Sequence, residues 1–305
     1  MVTQNGETKV FLLKTSDRRV GIKSLLEQFD MNDYRGKTVA LKPNFNSADP
    51  FPASTHIETL KTLVEGLKEA QIGSLTVAER SGMGVTRKVL EKMGVFDLSE
   101  KLGFKVVVLD EEDEDGWVKI DPDGTHWSKG FYIAKLFLSA DKVVQTCCLK
   151  THRFGGHFTL SLKNSTGLVA RRVPRDAHDY MSELHGSPYQ RLMIAEINRF
   201  YNVDLVLMDA MKIFVSGGPE SGDTVEPNIL LASRDRVAID AVGVAILRSY
   251  GSTREVMEGD IFELEQIRRA AELGVGVKSA DEIKLIPLDD NSVKAASEIE
   301  SILKS

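Results

Sequence analysis

The segment best equipped for chemistry is Lys150, Thr151, His152, Arg153, Phe154, Gly155, Gly156 and His157, which sets four basic or titratable side chains around a glycine pair. Lysine neutralises an anion, imidazole exchanges a proton near neutral pH, and paired glycines let a ligand come close to the backbone. Lys163 and Asn164 follow within a turn or so, with Gly167 as a helix stop. Together these residues could hold a carboxylate. Taken singly, each histidine reads first as a surface or hydrogen-bonded residue. His152 and His157, five apart, do not match a helical pair of metal ligands, and the sequence carries no metal signature.

Other candidates sit where strands should end. Lys42, Pro43 and Asn44 close a strand-like run, and a proline that cannot donate to a ladder would leave Lys42 and Asn44 at its mouth, as an anion site or as a solvated lysine and a turn asparagine. Glu79 to Gly84 joins a strand to a helix. Arg87 stands where a dinucleotide fingerprint wants its third glycine, so a tight turn is the default reading. Arg171, Arg172 and Arg175, with His178 and His185 downstream, make a positive loop that could close over an anion or pair with local acids. His185 is expected to start the helix that carries Arg191. Asp209 is expected to end a strand and present its carboxylate, with the loop Ser216 to Gly222, including Gly217 and Gly218, beyond it. Asp240 lies in an apolar helix, so its carboxylate should bond nearby backbone.

These residues need a scaffold. Short β-rich runs alternate with helical patterns, which implies an α/β fold: a mostly parallel sheet with helices on both faces, read as one unit over 1–305 or as two Rossmann-like lobes, 1–145 and 146–305, with an inserted hairpin. Strands are expected at Lys9–Lys14, Thr38–Lys42, Leu75–Ala78, Lys105–Leu109, Lys142–Gln145, Leu205–Met208, Asn228–Leu231 and Ile283–Ile286. Helices are expected at Ile57–Ala70, Val85–Met93, Arg191–Tyr201, Arg236–Leu247, Asp260–Leu273 and Val293–Leu303. Trp117–Phe137 reads as the hairpin, turning at Asp121–Gly124, and the acidic run Asp110–Asp115 as a solvated turn. In such sheets ligands bind outside the carboxyl ends of the strands.

Composition narrows the function classes. The chain has 305 residues, 42% hydrophobic and 28% charged, enough to bury a sizeable core. A net charge of −6 offers no long-range attraction for nucleic acid or an anionic membrane, so any basic site must be local. No apolar stretch approaches the roughly 20 residues of a membrane span, and no signal pattern opens the chain. Cys147 and Cys148, the only cysteines, are adjacent, so no disulfide framework and no iron–sulfur cluster is expected from this chain. These features fit a cytoplasmic location. They specify neither a cofactor nor an oligomeric state.

The ordered set Leu41-Lys42-Pro43-Asn44, Leu149-Lys150-Thr151-His152, Ser161-Leu162-Lys163-Asn164 with Gly167, then His185, Asp209, Gly217-Gly218-Pro219, Gly222 and Asp240 resembles the domain of unknown function 362 family over roughly residues 40–245. Many members carry a ferredoxin-like extension with cysteine-ligated clusters, which this sequence lacks. Its first half is also similar, in the strand, loop and helix order around Lys42 and Glu79, to the amino-terminal domain of nickel-pincer lactate racemases.

The residues point first to an isomerase- or lyase-type acid/base enzyme that binds a small carboxylate or phosphate and moves a proton next to a carbonyl. Lys42, Lys150 and Lys163 would supply charge, His152 the acid or base, Asn164 an oriented amide, and Asp209 a second proton carrier or an orienting group. Asn44, Arg172, His185, Gly217 and Gly218 would complete the binding site. The rival from another class is a non-catalytic protein that holds an anionic ligand or cofactor as the partner of a redox system. A purely structural protein ranks last.

Overall fold

Apolar residues recurring every second position build the central sheet, because successive side chains of a strand face opposite sides. Val39 and Leu41 pack into one core while Ala40 enters another, and Leu205 and Leu207 oppose Val206 and Met208 in the same way. The computed structural model describes residues 7–305. In chain order the strands are β1 Thr8–Lys14, β2 Thr38–Lys42, β3 Ser74–Glu79, β4 Lys105–Val108, β5 Trp117–Ile120, β6 Phe131–Ala134, β7 Lys142–His152, β8 His157–Thr159, β9 Leu205–Phe214, β10 Thr224–Val225, β11 Ile229–Ser233 and β12 Ile283–Pro287.

The main sheet runs β12-β1-β11-β9-β7-β2-β3-β4, with β8 on β7 and β10 on β9. Pairing is parallel from β9 through β7, β2 and β3 to β4 and between β1 and β12, and antiparallel where β11 meets β1 and β9. Helices Arg18–Leu26 and Ile57–Glu69 cover one face, and Arg236–Ser249 and Asp290–Leu303 the other. A third core forms under the separate β5/β6 hairpin, against the helices Tyr180–Gly186 and Gln190–Ile197. The α/β class and the inserted hairpin are as expected. A tight turn does form at Asp121–Gly124, with the Thr125 N–H donating to the Pro122 carbonyl, but the whole connection spans residues 121–130 and buries Trp127. The acidic residues Asp110–Asp115 are exposed.

Several boundaries differ, each for a physical reason. β7 does not stop at Gln145: the polar residues that seemed to break it find ladder partners, with Lys150, Thr151 and His152 opposite Thr159, Phe158 and His157 of β8. A cut at 145/146 would therefore divide a strand, and β1 lies between β11 and β12, inside the sheet's carboxyl-terminal half. β9 likewise runs on past Met208, so Asp209 is interior to a strand. His185 lies in the last turn of Tyr180–Gly186, and Pro188 separates that helix from the one holding Arg191. Asp260–Leu273 splits into a single 3₁₀ turn and the helix Glu265–Glu272. Among the described residues no helix is long and apolar enough to cross a membrane.

Asp240 does what its buried position requires. Its two carboxylate oxygens accept the backbone N–H groups of Ser161 and Leu162, at 2.8 and 2.9 Å, and so anchor the short helix Ser161–Asn164. Burial pushes its carboxyl up to about 8 against the opposing pull of those two N–H donors. Asp240→Ala would strand both donors in the core and should cost about 2–4 kcal/mol in urea unfolding. Asp240→Asn, which keeps one acceptor, should cost less; equal losses would contradict a capping role.

Candidate functional site

Three parallel neighbours, β7, β2 and β3, deliver Lys150 and His152, Lys42, and Glu79 to one edge of the sheet. The register of β7 against β9 shifts between Cys148 and Lys150, the kind of irregularity that re-aims side chains at a sheet edge. Behind them stands the helix Ser161–Asn164 with Lys163 and Asn164. Together these elements enclose a cavity of about 400 Å³ lined by Lys42, Asn44, Glu79, Arg80, Lys150, His152, Lys163, Asn164 and His185, with Met83, Phe154, Arg171, Met181 and Pro219 among its further walls.

A polar chain crosses the floor of this cavity. Lys42 Nζ lies 2.5 Å from Glu79 Oε1 and donates to the carbonyl of Pro43 at 2.7 Å. Glu79 also accepts from the N–H groups of Phe45 and Arg80. Lys42 Nζ reaches Asn164 Oδ1 at 3.3 Å, Asn44 Nδ2 donates to the same oxygen, and Lys150 Nζ donates to Asn44 Oδ1 at 2.9 Å and to the Ala53 carbonyl. Gly167 is glycine because a Cβ there would come within 2.7 Å of both Lys42 Nζ and Glu79 Oε1. Arg80 is buried without a carboxylate contact, its guanidinium donating to the carbonyls of Val169, Thr166 and Ser81.

Four buried cationic side chains, Lys42, Arg80, Lys150 and Lys163, thus face one carboxylate, Glu79, while Arg171 at the rim is exposed and pairs with Asp179. Burial lowers the pKa of Lys42 and Lys150, an effect opposed in Lys42 by Glu79. Burial, with Lys150 and Arg80 adding repulsion, brings Lys163 down to about 8. His152 is lowered far further, first by burial and then by Lys163, Lys150 and His185, so its imidazole is neutral. His152 Nδ1 is buried and has no hydrogen-bond partner among the described residues. His185 Nδ1 lies 2.7 Å from the Met181 carbonyl, which requires the proton on Nδ1 and leaves the Nε2 lone pair free. Burial lowers its pKa, and Lys163 adds to the effect.

The expected residues separate cleanly. Lys42, Asn44, Lys150, His152, Lys163, Asn164 and His185 converge on the cavity. Asp209 does not: its carboxylate accepts from Arg18 Nε at 2.8 Å and Thr59 Oγ1 at 2.6 Å, tying β9 to the two helices on one face of the sheet. Arg172 stays outside the cavity, 65% exposed and 3.3 Å from Asp179. Gly217 faces a smaller neighbouring hollow, and Gly218 packs against the backbone of Thr151 and accepts from Arg153, so only Pro219 of that loop reaches the main cavity. Asn164 has its amide oxygen on Lys42 and Asn44, with Nδ2 donating to Thr146, and therefore orients the lysine instead of standing free. Thr166 and Met181 were not singled out, Glu79 and Arg80 were read as a tight turn between strand and helix, and Arg171 entered only as part of the positive loop, of whose arginines it alone lines the cavity. For Glu79 and Arg80 the available signal was their position at the end of a strand expected beside β2. The cysteines are free and buried, and burial pushes the Cys148 thiol up to about 12. Among the described residues no group of three or more His, Cys, Asp or Glu could hold a metal ion.

Lys163 carries a stability consequence with a definite sign. The unfolded chain keeps its ordinary value of 10.5 while the folded chain holds it at about 8, so the unfolded state binds more protons between those values. The buried charge therefore destabilises the ligand-free fold fully below pH 8, and the penalty fades as pH rises towards 10.5. Lys163→Met should raise stability at pH 7 by about 2–3 kcal/mol in urea unfolding, and the gain should shrink at pH 10. A loss of stability at pH 7 would show that the ammonium is satisfied in the free protein.

Among solved structures, the lactate racemase apoprotein from Thermoanaerobacterium thermosaccharolyticum is similar, with a TM-score of 0.43 and 18% sequence identity; the match covers 70% of this chain and 53% of that one, so the chain spans about half its length. No curated protein matches the chain. The family described as domain of unknown function (DUF362) matches residues 39–245, the stretch that supplies Lys42, Glu79, Lys150, His152, Lys163 and His185. By that match the chain belongs to the domain of unknown function 362 family.

Proposed function

We propose that the chain is an enzyme that binds a small carboxylate or phosphate in this cavity and moves a proton next to a carbonyl group. The observation that carries this reading is the buried excess of positive charge: Lys42, Arg80, Lys150 and Lys163 around one carboxylate, with the Lys163 ammonium left without an acceptor among the described residues. Uncompensated charge away from water is costly, and an anion in the cavity relieves that cost at several groups at once. Lys150 keeps a third N–H for a ligand after Asn44 and Ala53, and Lys163 keeps all of its donors.

The anion also changes the acid/base groups. Its charge opposes the fields of Lys163 and Lys150 that depress His152, and so moves the imidazole towards a range in which it can accept a proton. His185, with its tautomer set by Met181, supplies a second nitrogen whose lone pair is free. Two imidazoles on the walls of one cavity suit removal and return of a proton at the same carbon. Met83, Phe154, Met181 and Pro219 add apolar wall for the rest of the substrate and limit water.

Calorimetric titration with lactate, pyruvate, malonate and inorganic phosphate tests the binding step. At least one of these anions should bind, with carboxylate affinity falling as pH rises through about 8 while Lys163 loses its proton. Lys150→Met should weaken binding about tenfold or more. Exchange of α-hydrogens in deuterium oxide, followed by proton NMR, tests the chemistry. His152→Ala should bind the anion within a few-fold of the parent and lose at least about 100-fold in exchange rate. Binding with no exchange in the parent protein would favour a non-catalytic anion-binding module, and no binding by any of the four anions would remove the reading altogether.

A further inference from the structure

Three lysines line the cavity, and their ammonium groups are treated very differently. Lys42 is locked against Glu79 and the Pro43 carbonyl, and Lys150 against Asn44 and the Ala53 carbonyl. Lys163 is buried too, 6% exposed, yet its Nζ has neither an acceptor nor an ion-pair partner among the described residues. Its nearest titratable company is of a particular kind. A Cβ built on Gly156 would stand 2.8 Å from Lys163 Cε and 2.9 Å from His152 Nδ1, so the lysine tip and the orphaned imidazole nitrogen border the same small space beside the glycine. That space exists because residue 156 has no side chain.

We propose that Lys163 is a nucleophile that forms a Schiff base with the carbonyl of a short 2-oxo acid, whose carboxylate is held by Lys150 and Arg80. This rests on the anion-site reading and deepens it by naming the substrate class and the group that acidifies its α-carbon. An amine acts as a nucleophile only when it is neutral, clear of donated hydrogen bonds that fix its orientation, and close to a proton carrier. Lys42 and Lys150 fail the second condition. Lys163 meets all three: at pH 8 about half of it is the free amine, since its pKa lies at about that value.

The steps balance without any further reagent. The lone pair of Lys163 Nζ forms the N–C bond while the carbonyl π pair moves to oxygen, which takes up a proton, and the nitrogen loses one to His152 or solvent. A second proton on the hydroxyl lets it leave as water, and the nitrogen lone pair closes the C=N⁺ bond. The iminium withdraws electrons from the adjacent carbon, so an imidazole can remove an α-proton to give the enamine and later return it. Water then attacks the iminium carbon and releases the 2-oxo acid and the amine. No oxidant or reductant takes part.

The test uses the full-length protein at pH 8 with pyruvate or glyoxylate and sodium cyanoborohydride, followed by intact mass and peptide mapping. The expected result is one reductive adduct per chain, on Lys163, forming at least about tenfold faster than at any other lysine. It should be suppressed by excess lactate, which shares the carboxylate but has no carbonyl. In Lys163→Arg, shown by calorimetry still to bind lactate, the fast adduct should vanish. Slow adducts spread over surface lysines with none preferred at Lys163, or an unchanged fast adduct in Lys163→Arg, would overturn the proposal. If lactate binds the parent protein and neither carbonyl compound is trapped, only the Schiff-base step fails; if none of lactate, pyruvate, malonate and inorganic phosphate binds and no adduct forms, the anion-site reading fails with it.

Discussion

The contact between the Lys42 ammonium and the Glu79 carboxylate, 2.5 Å long and away from solvent, governs the arrangement of everything around it. Two charges in such a position persist only if their remaining valences are met, and here each is met by the protein itself. Glu79 accepts from two backbone N–H groups, Lys42 donates to the Pro43 carbonyl and Asn164, and Gly167 gives way so that both can fit. The pair fastens the ends of β2 and β3 to the segment Ser161–Leu168. Asn164 and Asn44 pass the constraint on to Lys150 at the end of β7.

With those groups fixed, the charge left over becomes the informative feature. Arg80 is satisfied by carbonyl dipoles, and Lys163 has no acceptor among the described residues. A chain selected only for stability would replace Lys163 with an apolar side chain, because the buried cation opposes folding at neutral pH. Its placement on a helix anchored by Asp240, and joined through Ser161, Gln145, Tyr201, Ser165 and Asn198 by buried hydrogen bonds, holds that cation still. The fold thus uses a well-satisfied polar network to keep one poorly satisfied group in position.

How far the site could be read from residues depended on whether a side chain's role followed from its neighbours in sequence. Thr38–Lys42 is legible to the residue, because an apolar run meets a proline, and the helix Ile57–Glu69 is legible from its spacing of apolar residues. Lys150, His152 and Lys163 stand out as basic groups beside glycines. Asp209 misled because β9 carries on beyond it, pairing Asp209 with Leu230 of β11, so a carboxylate expected at a strand mouth instead bonds Arg18 and Thr59 from distant segments. Arg172 misled because Asp179 lies close by and holds it on the surface.

The residue order by itself determined the α/β class, the alternation of strands and helices, and the presence of basic and proton-exchanging side chains at particular strand ends. Those properties depend on local patterning, in which each residue answers to neighbours a few positions away. Only the tertiary structure decided which ends share one edge of the sheet, that Glu79 offsets Lys42, that Asn164 serves the lysines, and that Lys163 alone among them lacks an acceptor among the described residues. The physical reason is that desolvation and pairing are properties of a three-dimensional neighbourhood: residues 42, 79, 150 and 163 acquire their charges' costs and partners only when β2, β3, β7 and the helix Ser161–Asn164 meet.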